Sequence, residues 1–301
     1  MVSTARETKD ENAFYSCCTV LITTSPVISD PDPRMLGQVL SSLNLVGLSK
    51  CRTILIMDHF TEGNPRKRRL CGRIPADRLA AYEARCTSIV QSVRDGLFGD
   101  GLKERLEVLQ LKSWHGFALA VMRALEEVQT PTVCIVQHDL LFRRKIDLVP
   151  LFEVIQDKAN GVNYIYFKRD AQKNYREKAK SLHNLELGPP INFGPTAATP
   201  LMRLPRYFDG IHIACTTWYQ KKICEGNNFK PGQFIDQSLG KKMLDQAMEG
   251  PECMLVNGHN VSIGVYEICG EFGCWVWCGE EDPLIEHLNG RILRVRQDHQ
   301  T

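Results

Sequence analysis

The amino-acid sequence predicts one α/β domain built on a mixed, mainly parallel β-sheet that is flanked by helices. Short apolar segments alternate with amphipathic helical segments through the first 170 residues. The apolar segments are continuous, which is typical of parallel strands that are buried on both faces. We find no linker that would divide the 301 residues into separate domains, and 43% of the residues are hydrophobic, which is enough for one large core.

The first half of the chain supplies most of the predicted strands. We expect strands at residues 17–24, 53–57, 104–111, 132–136 and 163–167. We expect the intervening helices at residues 35–45, 76–95, 117–128 and 148–158. This order of elements is the signature of a doubly wound, Rossmann-like sheet.

The second half is less regular. A charged segment at residues 168–187 favours a helical excursion, and residues 235–248 have a helical pattern. Short strands are expected at residues 254–256 and 265–268. Residues 1–15 are mostly polar or charged, which predicts a flexible N-terminal arm.

Composition restricts the class of protein. The formal net charge is +2, so the chain as a whole does not favour nucleic acid or an anionic membrane, although residues 65–69 form a local basic run. No apolar stretch reaches the roughly 20 residues of a transmembrane helix, and no signal-peptide pattern opens the chain. Together with twelve scattered cysteines, this predicts a reduced, cytoplasmic protein.

Polar residues follow three of the predicted strands: Thr23-Thr24-Ser25, Asp58 and Gln137-His138-Asp139. Ligands of open α/β sheets bind at the carboxyl ends of the strands, so we expect these residues to meet at one site. A carboxylate that follows an apolar strand is well placed to hold a divalent cation against a diphosphate. Polar residues also end strands for purely structural reasons, and this alternative stays open for each of them.

Together these segments resemble the nucleotide-sugar-dependent glycosyltransferases of the GT-A fold, especially the inverting, family-two-like enzymes. Val20-Leu21-Ile22-Thr23-Thr24-Ser25-Pro26 is similar to their nucleoside-binding first strand. Ile54-Leu55-Ile56-Met57-Asp58 is similar to the strand whose final acid binds the base or ribose, and His115-Gly116 to the start of the helix before the metal motif. The resemblance implies that residues 16–170 bind the donor and residues 171–301 the acceptor.

The strand that ends at Asp139 takes the place of the family's strand ending in Asp-x-Asp, but here the motif reads Gln-His-Asp. The resemblance implies that Asp139 is a direct ligand of Mn²⁺ or Mg²⁺ and that Gln137 hydrogen-bonds the ribose. His138 is assigned to the donor site and could ligate a transition metal, but the alternation of side chains along a strand favours packing in the core. The missing first carboxylate weakens the prediction of a metal.

The resemblance also implies a catalytic base on the acceptor side. The segment Phe234-Ile235-Asp236-Gln237-Ser238-Leu239-Gly240 is similar to the one in which an acid deprotonates the acceptor hydroxyl, which makes Asp236 the general base. An Asp at the start of a helix also serves as an N-cap, and the two roles are compatible. The acidic run at residues 280–282 is a second candidate for the base.

Two residues near the C-terminus complete the predicted site. Many GT-A enzymes supply a further metal or diphosphate contact from this region, which implies His287 as a metal ligand. Arg291 would then neutralise the diphosphate through its forked donors. A lone His is also common as a surface residue or as a hydrogen-bonded core residue.

The predicted activity is therefore transfer of a sugar from a UDP- or GDP-sugar to a hydroxyl of a glycan, lipid or protein. A catalytically inactive nucleotide-sugar- or glycan-binding relative stays open because of Gln137. A sugar-phosphate nucleotidyltransferase is disfavoured, because Thr-Thr-Ser-Pro stands where such enzymes carry a Gly-rich phosphate loop. No Gly-x-Gly-x-x-Gly follows a predicted strand, which argues against a NAD-dependent dehydrogenase.

Overall fold

A computed structural model describes residues 15–25, 33–63, 72–193, 199–279 and 283–288. Four predictions lie largely or wholly outside these residues: the N-terminal arm, the basic run, the acidic run at residues 280–282, and Arg291. The strands of the described chain are, in order, β1 (Cys18–Thr24), β2 (Arg52–Met57), β3 (Thr61–Glu62), β4 (Arg73–Ile74), β5 (Leu106–Gln110), β6 (Thr132–Gln137), β7 (Leu140–Phe142), β8 (Tyr164–Tyr166), β9 (Ile191–Asn192), β10 (Pro200–Arg203), β11 (His212–Cys215), β12 (Cys253–Val256), β13 (His259–Ser262), β14 (Cys274–Trp277) and β15 (Ile285–His287).

Helices connect and cover these strands. In order, the helices of the described chain are α1 (Arg34–Ser42), α2 (Leu79–Arg94), α3 (Asp100–Lys103), α4 (Gly116–Leu125), α5 (Val149–Gln156), α6 (Tyr175–His183), α7 (Thr216–Trp218), α8 (Lys241–Glu249) and α9 (Ile263–Phe272). Wider π-helical turns extend α7 over Tyr219–Glu225 and precede α8 over Asp236–Gly240. None of the helices in the described segments has the length and apolar composition that crossing a bilayer requires.

One nine-stranded sheet forms the centre of the molecule, in the order β5-β2-β1-β6-β11-β8-β14-β10-β9. β5, β2, β1 and β6 are parallel neighbours, and so are β8 and β14. Within this sheet, only β10 and β11 run in the opposite direction. The prediction of a single domain with a mixed, mainly parallel sheet flanked by helices is confirmed.

The central strands form where the sequence is apolar without interruption. Every residue of β1 is buried, and β2 and β6 each have one half-buried residue, at a strand end. Helix α4 packs on β1 and β2, while α5 packs on β6 and β11. Because both faces of these strands are covered, the strands carry no polar face and their sequences show no alternation.

The strands of the two predicted halves are interleaved in this sheet. β8 comes from the first half, yet it lies between β11 and β14, which come from the second. The two halves therefore share one core, and their division into donor- and acceptor-binding parts stays a prediction about function.

Two features of the second half differ from the prediction. The strand expected at residues 265–268 is wrong, because this segment lies inside α9. Its buried residues Val265, Ile268 and Phe272 recur at helical intervals, which a four-residue window does not reveal. The following segment, β14, is a strand that was not predicted, and its Trp275 and Trp277 are only 7% and 8% exposed, so they belong to the core.

Candidate active site

A cleft lies where the order of the strands reverses. The chain leaves β1 for β2 on one side, and it returns through β5 and α4 to β6 on the other. Such a reversal leaves a crevice at the carboxyl ends of the strands, where α/β proteins bind ligands. The cleft is lined by eight of the residues predicted from the sequence: Thr23, Thr24, Ser25, Asp58, Gly116, Gln137, His138 and Asp139.

The hydroxyls at the end of β1 tie the strand to its neighbours. Thr23 donates its hydroxyl proton to the Val136 carbonyl on β6 (3.4 Å), and Thr24 donates to the Ile56 carbonyl on β2 (3.0 Å). Both threonines and the half-buried Ser25 line the cleft. Because each threonine hydroxyl already donates its proton, a ligand that contacts these two hydroxyls would meet acceptors.

Asp58 anchors the start of α4. Its carboxylate accepts the backbone N–H groups of His59 (2.9 Å), His115 (2.9 Å) and Gly116 (2.7 Å). Burial raises the pKa of Asp58, although these three hydrogen bonds oppose that shift. The carboxylate is thus largely engaged in holding the helix, and its predicted contact with the base or ribose stays a prediction.

Gly116 is required by a close approach of two backbone segments. It has φ +73°, and a Cβ built on it would lie 2.4 Å from the Cα of Gly232. The His115 carbonyl accepts the N–H of Gly232 at 2.9 Å, so the loop that precedes α8 rests directly on the start of α4. This glycine contact joins the cleft to the segment that leads into the π-helical turn containing Asp236.

Replacing Gly116 by alanine is expected to destabilise the protein by about 2–4 kcal/mol, through left-handed strain and overpacking together. Gly161→Ala is the matched control, because Gly161 also has positive φ (+62°) but nothing lies within 4 Å of its added Cβ. The control should cost only about 1–2 kcal/mol, from strain alone. Urea unfolding of both variants measures the difference, and equal losses would contradict the close contact.

Gln137 and His138 have different environments. The Gln137 amide donates to the carbonyl of Asp209 at 2.8 Å, so it links β6 to the segment before β11. His138 is 7% exposed, and its backbone N–H and Nδ1 both lie near the Thr23 carbonyl, at 3.0 and 3.3 Å. Burial lowers the pKa of His138, which favours the neutral imidazole. Both residues line the cleft, but His138 is held mainly within the core.

The C-terminal strand brings His287 to Asp139. β7 follows Asp139 directly and pairs with β15, which sets His287 opposite Leu140. The Asp139 carbonyl also accepts the N–H of Leu288 at 2.7 Å. As a result, His287 Nε2 lies 3.1 Å from Asp139 Oδ2, although the two residues are 148 positions apart in the chain.

The contact between Asp139 and His287 shifts the pKa of both side chains. The hydrogen bond that His287 donates to Asp139 raises the pKa of His287. Burial by itself would raise the pKa of Asp139, but the hydrogen bond from His287 and the charges of His138 and His287 together lower it. Asp139 Oδ1 is buried and has no hydrogen-bond partner among the described residues, which leaves one carboxylate oxygen available to a cation.

The Asp139 carboxylate and the His287 imidazole could supply part of the ligand set of a cation. No cluster of three or more His, Cys, Asp or Glu side chains is arranged to hold a metal in the segments that the structure describes. A carboxylate and an imidazole are, however, suitable ligands when a substrate diphosphate supplies further oxygens. The pair therefore fits a cation that is shared with a substrate better than one that the protein holds alone.

A second cleft adjoins the first and contains Asp236. Gln137 and Phe234 line both clefts, while Arg169, Asp209 and Asp236 line only the second. The N–H of Asp236 donates to Asp209 Oδ2 at 3.1 Å, and Asp209 Oδ1 is buried without a partner among the described residues. Burial and the nearby charge of Asp236 raise the pKa of Asp209 well above its usual range.

Two residues of the second cleft, Asp209 and Arg169, were not assigned a role in the sequence analysis. Asp209 lies between Phe208 and Gly210 in the segment before β11 and is only 5% exposed, which its sequence context did not predict. Arg169 follows β8 at the same edge of the sheet, and its charge opposes protonation of His287. Arg169 follows a predicted strand, and other site residues were assigned because they follow predicted strands. The same criterion could have identified Arg169 from the sequence.

Comparisons with known proteins give only distant similarities. No protein-family model matches this chain, and no curated protein matches it significantly in sequence. Among solved structures, S. aureus TarS 1–349 is 16% identical, with a TM-score of 0.42, and the match covers 75% of this chain and 55% of that chain. The same TarS fragment has been solved in complex with UDP-GlcNAc.

Two further structures have similar scores. The mannosyltransferase PcManGT from Pyrobaculum calidifontis, in complex with GDP-Man and Mn²⁺, is 11% identical, with a TM-score of 0.44 over 95% of this chain and 62% of that chain. A putative glucose-1-phosphate thymidylyltransferase from Bacillus anthracis is 9% identical, with a TM-score of 0.37 over 75% and 83%. This chain thus spans little more than half of TarS 1–349 and of the mannosyltransferase. TM-scores this low assign the chain to no family and say nothing of its activity.

Proposed function

We propose that this protein is a glycosyltransferase that moves a sugar from a nucleotide-diphosphate donor to a hydroxyl acceptor. One observation carries the proposal: a possible cation site and a carboxyl pair, from distant parts of the chain, lie in adjoining clefts at one edge of the sheet. The first cleft ends at Asp139, which His287 contacts, and the second contains Asp236 and Asp209. Gln137 lines both clefts.

The donor is proposed to occupy the first cleft. Its nucleoside would lie along Thr23, Thr24 and Ser25, with its diphosphate towards Asp139 and His287. Mn²⁺ or Mg²⁺ held by these two residues would offset the negative charge of the leaving diphosphate. The imidazole favours Mn²⁺, because Mg²⁺ prefers oxygen ligands. Arg169 is a second cation for this charge, and Arg291 is a further candidate that lies outside the described residues.

The acceptor is proposed to occupy the second cleft, where Asp236 acts as general base. Asp236 would take the proton of the acceptor hydroxyl as its oxygen attacks the anomeric carbon of the sugar. The bond between that carbon and the diphosphate oxygen breaks, and the nucleoside diphosphate leaves. Attack from the face opposite the leaving group inverts the anomeric centre. Burial raises the pKa of Asp209 and so favours its neutral form, which suits this residue to a supporting role beside Asp236.

A catalytically inactive relative that binds a nucleotide-sugar or a glycan is the second candidate. The motif lacks its first carboxylate, and the Gln137 amide is engaged with the Asp209 carbonyl. In such a protein the first cleft would bind its ligand without a cation. The bond between the anomeric carbon and the diphosphate oxygen would stay intact.

Calorimetric titration with a panel of UDP- and GDP-sugars, with and without Mn²⁺, tests the proposal. We expect at least one donor to bind in a Mn²⁺-dependent manner and to be hydrolysed slowly when no acceptor is present. Binding that is independent of the metal, together with no hydrolysis, would support the inactive relative. If no nucleotide-sugar binds under either condition, the proposal is wrong.

A further inference from the structure

A cysteine site lies at the edge of the sheet opposite the two clefts. β11 is antiparallel to β6, so its last residue, Cys215, lies opposite Thr132, the first residue of β6. Gln137, at the other end of β6, is five residues away, or roughly 16 Å along the strand. Cys215 is therefore remote from the residues of the proposed donor and acceptor sites, and its chemistry can be tested separately.

Three groups converge on the Cys215 sulfur. Lys158, from the turn after α5, donates from Nζ to Sγ at 3.0 Å, and the Thr217 hydroxyl lies 3.3 Å from Sγ. The backbone N–H of Trp218 is a third donor, because Cys215 directly precedes α7. Positive charge and hydrogen-bond donors favour the thiolate over the thiol.

The thiol lies at a cavity whose lining includes several polar side chains. Cys215, Thr217 and Lys158 line this cavity together with Thr132 and Cys17. Thr132 is fully buried, and its hydroxyl has no hydrogen-bond partner among the described residues. Because Thr132 and Cys215 are directly paired across β6 and β11, their side chains project from the same face of the sheet. Thr132, which carries the unpartnered hydroxyl, thus lies beside Cys215 and lines the same cavity.

The environment of Cys215 differs from that of the other described cysteines. Burial by itself would raise its pKa, but the hydrogen bonds from Lys158, Thr217 and Trp218 and the charge of Lys158 lower it. Burial raises the pKa of seven other thiols: Cys18, Cys86, Cys134, Cys224, Cys269, Cys274 and Cys278. Among the described residues, Lys158 is the charged side chain that contacts the Cys215 sulfur. Besides Lys158 and Cys215, the titratable residue that lines the cavity is Cys17.

We propose that Cys215 is a nucleophilic thiol and that its cavity is a site of thiol–disulfide exchange with small-molecule disulfides. The Cys215 thiolate attacks one sulfur of the disulfide, and a new S–S bond forms as the old one breaks. The other half leaves as a thiolate, which takes a proton from water. The protein sulfur is oxidised, and the released thiol is the reduced product.

An internal disulfide with Cys17 does not compete with this reaction. Cys18, Thr132 and Cys215 are aligned across the neighbouring strands β1, β6 and β11. Cys17 directly precedes Cys18, and its carbonyl accepts the N–H of Thr132, so Cys17 also lies two strands away from Cys215. Two strand spacings amount to about 9–10 Å, whereas the Cα atoms of a disulfide are usually no more than about 7 Å apart. Cys215 itself is only 4% exposed, so only small reagents can reach its sulfur, through the cavity.

Alkylation of the full chain with iodoacetamide over a range of pH, read out by peptide mass spectrometry, tests the reactivity. We expect Cys215 to be alkylated at a lower pH than the exposed Cys253, which is the internal reference. Lys158→Met should slow alkylation of Cys215 about tenfold at neutral pH and leave Cys253 unchanged. Thermal unfolding confirms that the variant is folded. Faster alkylation of Cys253 in the native chain, or an unchanged Cys215 profile in the variant, would overturn the proposal.

Incubation with glutathione disulfide tests the exchange itself. A mixed disulfide is expected at Cys215, reversible by dithiothreitol and absent from Cys215→Ser. A bulky polyethylene-glycol maleimide should modify Cys253 but not Cys215 in the folded protein, because only the cavity leads to the latter. If Cys215 is alkylated but forms no mixed disulfide, the site is not one of disulfide exchange.

Discussion

Asp139→Asn is expected to abolish Mn²⁺-dependent binding of the nucleotide-sugar and to lower donor turnover on the order of a thousandfold. Asparagine keeps the size of the side chain and a carbonyl-type oxygen, but it removes the negative charge that a cation requires. Asp139 Oδ1 is buried without a partner in the described chain, so the substitution changes the oxygen that would contact the metal. Calorimetry with and without Mn²⁺ measures the first effect, and a donor-hydrolysis assay measures the second.

His287 and its neighbour Glu286 provide the comparison for this variant. His287→Asn should weaken metal-dependent binding about 10- to 100-fold, because Asp139 remains as a ligand. Glu286→Gln is the matched control, since Glu286 lies on the same strand, is exposed and faces Arg143 at 3.7 Å. We expect the control to bind as the native protein does. If Asp139→Asn retains metal-dependent binding, the cation is held elsewhere and the proposed mechanism fails.

The regular half of the fold could be predicted because its signal is local. Buried parallel strands must be continuously apolar, and the segments that became β1, β2 and β6 have no competing interpretation. The strand predicted at residues 265–268 was wrong because that prediction also used only a local signal. A short apolar segment is compatible both with a strand and with one face of a helix. Length decides between these two, and four residues are too few to show it.

Part of the candidate site could also be predicted, because polar residues after strands are visible in the sequence. Thr23, Asp58 and Asp139 meet at one edge for the reason expected, namely that parallel strands end together. The engagement of Asp58 with three backbone N–H groups was not visible, since it depends on how α4 docks. Asp209 was missed because its role arises from burial beside Asp236, which is a property of tertiary packing.

Asp236→Asn is expected to leave donor binding and slow donor hydrolysis intact and to lower sugar transfer about 10²–10⁴-fold. The side chain lies in the second cleft, away from the Asp139–His287 pair, so the donor site is not altered. Asparagine keeps the shape and a hydrogen bond to the acceptor but cannot take its proton. Asp245→Asn is the matched control, because this acid lies on α8, is partly exposed and pairs with Lys241 on the same helix. Transfer is measured with the donor at saturation, so that a change in binding is not mistaken for a change in chemistry.

Asp209→Asn decides which member of the carboxyl pair is the base. Burial and the nearby charge of Asp236 raise the pKa of Asp209, which favours its neutral form, and asparagine is a neutral group of the same size. Its oxygen can still accept the N–H of Asp236, which Asp209 accepts at 3.1 Å. We therefore expect Asp209→Asn to lose much less transfer than Asp236→Asn. The opposite ranking would make Asp209 the base and Asp236 the residue that positions it, because only the group that takes the proton is indispensable to the step.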